Sequence, residues 1–143
     1  AVLILGGRAS VNAVNFVRTF GGGNVEIMGG VDDIGDFYKR ISLYVQPSVS
    51  EGFGIEVLEA MAYGRAVIAS KGAGASEAIQ NDSRFEIRDP DEIARKIERL
   101  RSLGHCDALG KMNRGLAAHY NWEAIRSRYV NFWRTQLLGQ TIE

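Results

Sequence analysis

The feature that most constrains the fold is an alternation of short apolar runs with segments of helical periodicity. Strands are predicted at AVLIL, NVEIM, SLYV and AVIAS, with a weaker one at RFEI. The segments between them carry apolar residues at helical spacing, and glycine-rich turns lead from strand to helix. This order predicts an α/β fold, a Rossmann-like parallel sheet covered by helices on both faces. Ligands of such sheets bind at the carboxyl ends of the strands.

Two of the predicted helices carry clear signals. Asp89 is an N-cap candidate followed by proline at the first helical position and glutamate at the third, which predicts a helix start. The last helix has a largely aromatic stripe at helical spacing, made of the aromatic residues Trp122, Tyr129, Phe132 and Trp133 together with Ile125. We expect this stripe to face the core, the alternative being contact with a domain outside this chain.

Length and charge limit the possible partners. The 143 residues fit one domain, residues 1–143, although a first residue other than Met suggests a piece of something larger. The 17 basic and 17 acidic side chains cancel, so we expect no nucleic-acid binding. The single Cys106 favours a reducing compartment, and no apolar run is long enough for a membrane span. A cytoplasmic location is predicted, and neither a metal nor a cofactor is expected, since His105 and His119 lack metal-ligand spacing.

The segment PSVSEGFGIEVLEAMAYG, residues 47–64, carries the strongest functional signal. A helix that begins near Gly54 has first-turn N–H groups without internal partners and about half a positive charge at that end. Gly52 and Gly54 lack side chains, so a phosphate can approach the main chain closely. The segment therefore predicts a phosphate site, and the alternative is a tight turn that binds nothing.

Two glutamates extend this prediction. Glu51 precedes the helix, and Glu59 lies five residues inside it, roughly 7.5 Å along the axis. Helical side chains lean toward the N-terminus, so Glu59 can point back along a ligand whose phosphates lie at the helix start. Carboxylates that accept from hydroxyls on both sides of a phosphate fit a nucleotide sugar. In the alternative interpretation, the glutamates only favour the helix start electrostatically.

At these residues the chain resembles the group-1 retaining glycosyltransferases of the GT-B fold. Their donor-binding segment has Pro-Ser, then Glu-Gly-Phe-Gly, and a second glutamate after seven intervening residues, which correspond here to Glu51 and Glu59. The match continues through YGRAVIAS and includes Ser70, Gly74 and Glu77, while Ala73 replaces a glycine of the family pattern. The closing HYNWEAIRSRYVNFW also resembles the C-terminal helices of that family.

The resemblance implies a fold of two Rossmann-like domains, of which this chain corresponds to the second, donor-binding one. It implies a hexosyltransferase that takes a UDP-, GDP- or ADP-linked sugar and transfers it, with retention, to an acceptor held by the N-terminal domain. Such enzymes make polysaccharides and glycoconjugates. The resemblance assigns Glu51 to the transferred sugar as the catalytic residue and Glu59 to the ribose. The other donor-binding residues that it implies are Phe53 and Gly54, whose main chain would hold the diphosphate, and Gly52 and Ile55 in the same segment. It also implies Arg8 as a cation for the diphosphate and, by position only, Met28 and Gly29 at the base.

The chain departs from the family pattern in two further respects. No lysine follows Arg8 before Lys39, and the region before NVEIMGG is one strand–helix unit shorter than in the family. We therefore predict a sheet that lacks one unit, with an exposed edge that allows self-association. Because the acceptor domain is absent, this chain alone is not expected to catalyse transfer. The alternatives are a module that binds nucleotide or sugar without transferring it, and a sugar-nucleotide epimerase of the same fold.

Overall fold

The computed structural model describes residues 1–8 and 10–138, which form two compact units, Ala1–Ile41 and Ser42–Glu143. Each unit contains parallel strands flanked by helices, which confirms the predicted α/β class. The expectations of a single domain and of a missing strand–helix unit stay predictions. We describe each unit by itself.

The first unit is built on a pair of parallel strands. Its elements in chain order are strand β1 (Leu3–Gly6), helix α1 (Val11–Phe20), a 3-10 turn (Gly22–Asn24), strand β2 (Val25–Gly29) and helix α2 (Ile34–Arg40). Helix α2 begins where the Asp33 carboxylate accepts from the N–H of Gly35 at 2.7 Å. A Cβ on Gly6 would lie 2.8 Å from the Phe37 ring, so the glycine lets α2 lie directly on β1.

The second unit is a three-stranded parallel sheet in the order β3-β4-β5. Its elements in chain order are β3 (Leu43–Gln46), α3 (Ile55–Ala62), β4 (Ala66–Ser70), 3-10 helices at Gly74–Ala78 and Asn81–Ser83, β5 (Arg84–Phe85), α4 (Pro90–Ser102), α5 (Cys106–Ala117), a 3-10 turn (Ala118–Tyr120) and α6 (Trp122–Leu138). All five residues of β4 are buried, as expected for a central strand covered on both faces. Leu43 lies opposite Ala66, and Ser70 lies opposite Phe85.

Helices α3 and α5 pack on each other and on β4. Helix α3 buries Val57 and Met61 completely, at about 1.5–3 kcal/mol for a side chain of that size. Helix α5 approaches closely because Gly110 has no side chain: a Cβ there would lie 2.1 Å from the Gly64 carbonyl oxygen. The buried amide of Asn113 then donates to the Arg65 carbonyl at 3.0 Å. These contacts fix the position of α3, the helix that follows the loop 47–54.

The predicted start of α4 is confirmed. The Asp89 carboxylate accepts from the N–H of Glu92 at 2.8 Å, and Pro90 occupies the first helical position. The proline has no N–H to leave without a partner, so the cap and the proline favour the same boundary.

The prediction that the aromatic stripe of α6 faces the core is wrong. Trp122 is 75% exposed, and the other three aromatic side chains, of Tyr129, Phe132 and Trp133, are 52–63% exposed. Helical spacing follows from local sequence alone, whereas burial requires another element to cover the face. Within the described residues, no helix combines the length and the apolar character needed to span a membrane.

Candidate functional site

The loop from Ser48 to Gly54 joins β3 to α3 and ends at a helix start, as the sequence predicts. Gly54 is the N-cap of α3, with a left-handed backbone at φ 79° and ψ 62°. Having no side chain, it leaves the first turn without a side-chain cap, and its own carbonyl accepts from the N–H of Val57 at 3.1 Å. A Cβ on Gly54 would also lie 3.2 Å from Cγ of Glu51. The left-handed backbone therefore favours glycine here, and the Glu51 side chain would have to shift to make room for a Cβ.

A second loop, residues 71–73, and the start of the 3-10 helix that follows it support the first. The N–H of Glu51 donates to the Gly72 carbonyl at 3.0 Å, and the N–H of Ala75 donates to the Phe53 carbonyl at 2.6 Å. A Cβ on Gly72 would lie 2.6 Å from the Val49 carbonyl oxygen. The sequence shows this Gly-Ala-Gly loop, but its supporting role depends on the parallel pairing of β3 with β4, which brings the ends of both strands together.

The predicted glutamates act on one half-buried tyrosine, Tyr44 on β3. Burial first, and then the carboxylates of Glu56, Glu59 and Glu51 in that order, together raise the pKa of Tyr44 to about 12. Glu51 is exposed and its Oε1 accepts from the N–H of Gly52 at 3.2 Å, whereas Glu59 is half-buried. The structure therefore brings both predicted glutamates to the same region, and the field there is negative.

Sequence reasoning missed a row of polar side chains on β3. Tyr44, Gln46 and Ser48 alternate with apolar or proline residues, and this period of two places them on one face of the chain. The Tyr44 hydroxyl donates to Oε1 of Gln46, whose Nε2 donates to Oγ of Ser48 at 2.8 Å. Polar residues at every second position of an otherwise apolar strand are the signal that would have revealed this row.

An open groove of about 470 Å³ lies beside Glu59, between α3 and the end of α5. Its lining residues are Ile55, Leu58, Glu59, Ala62, Arg114, Ala117, Ala118, Tyr120 and Asn121. Phe53 and Ile55 are both about half exposed, so the helix start is open to a ligand. Glu59 thus lines this groove on the helix that follows the glycine loop.

The remaining predicted donor residues belong to the first unit. Arg8 is exposed just after β1. Met28 accepts through its sulfur from Nη1 of Arg40 at 3.3 Å, and Gly29 has a left-handed φ of 72°. The structure therefore gathers Glu51, Gly52, Phe53, Gly54, Ile55 and Glu59 on one loop and helix, and leaves Arg8, Met28 and Gly29 as predictions.

A polar cavity of about 600 Å³ opens elsewhere in the second unit, near β5 and α4. Two of its cations are already paired: Lys71 bonds to Glu86, and Lys96 lies 3.5 Å from Glu92 and donates to the Asp82 carbonyl at 2.7 Å. The Lys71–Glu86 pair is exposed and contributes little to stability, and both pairs reduce the charge that is available to a ligand. Over residues 1–8 and 10–138, no group of three or more His, Cys, Asp or Glu side chains is placed to hold a metal ion.

Comparison with known proteins bears on this site. The family model described as glycosyl transferases group 1 matches residues 1–102. The sulfoquinovosyl transferase SQD2 of Arabidopsis thaliana is 29% identical over 118 residues, which cover 72% of this chain and 23% of that enzyme. The chain spans between 15% and 36% of the length of three curated relatives that it matches.

Solved structures have the same fold. Sucrose-phosphate synthase from Thermosynechococcus elongatus superposes with a TM-score of 0.80 at 26% identity, covering 96% of this chain and 39% of that one. HepE from Anabaena, solved in complex with UDP, superposes with a TM-score of 0.74 at 21% identity, covering 95% of this chain and 41% of that one. The family match spans most of the chain and includes the whole glycine-and-glutamate segment. This chain therefore belongs to the group-1 glycosyltransferases of the GT-B fold, as the resemblance of that segment predicted.

Proposed function

We propose that this chain is the donor-binding part of a retaining hexosyltransferase and binds a nucleotide diphosphate sugar at the start of α3. One observation carries the proposal: Gly54, in a left-handed conformation, opens an eight-residue helix that also carries the half-buried Glu59. The family match supports it, as does the fold shared with HepE, which was solved with UDP and with UDP-glucose.

The chemistry follows from the helix start. First-turn N–H groups and the positive end of the helix dipole stabilise a diphosphate, most of all when it gains charge as the leaving group. Gly52 has nothing within 4 Å of where a Cβ would lie, so the main chain there is open to a phosphate. Glu59 accepts hydrogen bonds from the ribose hydroxyls, and Glu51 lies at the transferred sugar. The protein then contributes positioning and charge stabilisation, and the acceptor is held by an N-terminal domain of the parent protein.

The test is a calorimetric titration of the purified chain with UDP, GDP and ADP, for the wild type and two variants. Glu59→Gln removes the acceptor proposed for the ribose, and we expect roughly 10- to 100-fold weaker binding of the preferred nucleotide. Glu56→Gln is the matched control, because it removes the same charge from the same helix one turn earlier. Because a carboxylate repels bound phosphates, we expect Glu56→Gln to leave the nucleotide affinity unchanged or to raise it.

The two variants separate the proposal from its alternative. If the glutamates act only through their charge, both variants shift the affinity in the same direction, and Glu59 has no role in binding ribose. If the folded wild-type chain binds none of the three nucleotides at millimolar concentration, the proposed function is refuted.

A further inference from the structure

We propose that Ser48 is a further ligand-binding residue, whose hydroxyl donates to a diphosphate oxygen, and that Tyr44 and Gln46 are positioning residues that orient this hydroxyl. The inference rests on the proposed function and adds one named donor to the same site. Ser48 is the first residue of the glycine loop, immediately after Pro47 and the carboxyl end of β3.

The hydrogen bonds along this row have a fixed direction. The carbonyl oxygen of an amide only accepts and its NH₂ group only donates. Oε1 of Gln46 accepts from the Tyr44 hydroxyl, and Nε2 of Gln46 donates to Oγ of Ser48 at 2.8 Å. Each donor in the row therefore points toward Ser48.

This direction decides what the Ser48 hydroxyl can do. Its oxygen already accepts from Gln46, and its proton has no acceptor recorded within residues 1–8 and 10–138. The hydroxyl is therefore set to donate, and a phosphate oxygen is a strong acceptor.

The Ser48 main chain is also held in place. Its carbonyl accepts from the hydroxyl of Ser70 on β4, and a Cβ on Gly72 would lie 2.8 Å from the same carbonyl oxygen. A donor with so little freedom loses little conformational entropy when it binds a ligand.

The row of Tyr44, Gln46 and Ser48 also lies near the carboxylates of the candidate site. Glu56, Glu59 and Glu51 all act electrostatically on the Tyr44 hydroxyl, so the row faces the side of the sheet where the candidate site carries its carboxylates. Burial and these charges raise the pKa of the tyrosine, so at neutral pH it is protonated and donates to Gln46. A protonated, neutral tyrosine is what keeps the Gln46 amide in the orientation that serves Ser48.

The decisive variant is Gln46→Glu, which keeps the side-chain shape and reverses one bond. An ionised carboxylate at position 46 accepts from both hydroxyls, so the Ser48 proton turns inward and is lost to the ligand. We expect UDP to bind about 10-fold more weakly or worse at neutral pH. Affinity should recover in part as the pH falls and the new carboxyl gains a proton that it can donate to Ser48, whereas a purely structural role would give no such pH profile.

Two further comparisons serve as controls. Ser48→Thr keeps the hydroxyl, and Ser48→Val has nearly the shape of threonine without the hydroxyl. We therefore expect near wild-type affinity from Ser48→Thr and about 10-fold weaker binding from Ser48→Val. When Gln46→Glu is added to Ser48→Val, the further change in UDP affinity reports the effect of the added charge alone. The difference between this change and the change that Gln46→Glu causes in the wild type measures the coupling to Ser48.

The outcomes are distinct. If the wild type binds UDP and Ser48→Val binds it equally well, the inference is overturned and the proposed function stands. If Gln46→Glu weakens binding by the same factor in both backgrounds, Gln46 does not act through Ser48 and its positioning role is refuted. If the folded wild type binds no UDP, GDP, ADP or inorganic pyrophosphate, the proposed function fails and Ser48 has no ligand to donate to.

Discussion

Replacing Gly110 with alanine tests the close approach of α5 to the chain before β4. The new Cβ would lie 2.1 Å from the Gly64 carbonyl oxygen and 3.0 Å from the carbonyl carbon, both of which are backbone atoms that cannot rotate away. Overpacking of this kind costs about 1–3 kcal/mol. The displaced helix would also weaken the 3.0 Å bond from Asn113 to the Arg65 carbonyl, a loss of about 1 kcal/mol. Alanine has a higher helix propensity than glycine, which stabilises the variant by about 1 kcal/mol. In total, the variant should be about 1–3 kcal/mol less stable than the wild type.

Gly115→Ala is the matched control on the same helix. Gly115 is exposed, and a Cβ there has nothing within 4 Å. Only the propensity effect then applies, and the variant should be about 0.5–1 kcal/mol more stable than the wild type. Urea unfolding followed by circular dichroism measures both free energies of unfolding. The reasoning is refuted if Gly110→Ala is at least as stable as the wild type, because α5 would then not lie against Gly64.

Three further predictions concern the core, a helix cap and a buried hydroxyl. Met61→Ala should lower the free energy of unfolding by about 2–5 kcal/mol, since Met61 is fully buried; a smaller loss in urea unfolding would mean that the site collapses around the cavity. Asp89→Ala should cost about 1 kcal/mol by removing the 2.8 Å bond to the Glu92 N–H, with Asp89→Asn retaining most of it; equal losses in thermal melts would contradict the capping role. Tyr44, with its pKa raised to about 12 above the ordinary value of 10.0, holds its proton more tightly when folded, so stability should fall between pH 10 and 12. In Tyr44→Phe this part of the fall should vanish from urea unfolding measured across that range, and an unchanged pH dependence would show that the tyrosine titrates normally.

Local sequence signals predicted the elements well because they act within a few residues. Asp89 and Pro90 mark the start of α4, and Gly54 marks the start of α3, through backbone groups that need a partner or a particular φ nearby. The weak strand predicted at RFEI shrinks to Arg84–Phe85, because only two residues pair with β4. The glycine-and-glutamate segment likewise identified the family from the sequence, since its spacing is itself local.

The candidate site was predicted only in part. Glu51 and Glu59 are eight positions apart in one motif, so their shared location follows from the loop and the helix that it leads into. The row formed by Tyr44, Gln46 and Ser48 has a local signal, its period of two along one strand. The support from Gly72 depends instead on the pairing of β3 with β4, which joins residues more than 20 positions apart. Sequence spacing carries no such information, because nothing local determines which strands pair.

The sequence by itself determined the order of strands and helices, their boundaries at the capped ends, and the family of the chain. Only the tertiary structure decided which faces are covered. The stripe from Trp122 to Trp133 has the period of a buried helix face and is nevertheless exposed, whereas Gly110, which has no side chain to give such a signal, lies at a close contact. The physical reason is that periodicity is a property of one segment, while burial is a property of two surfaces that must meet.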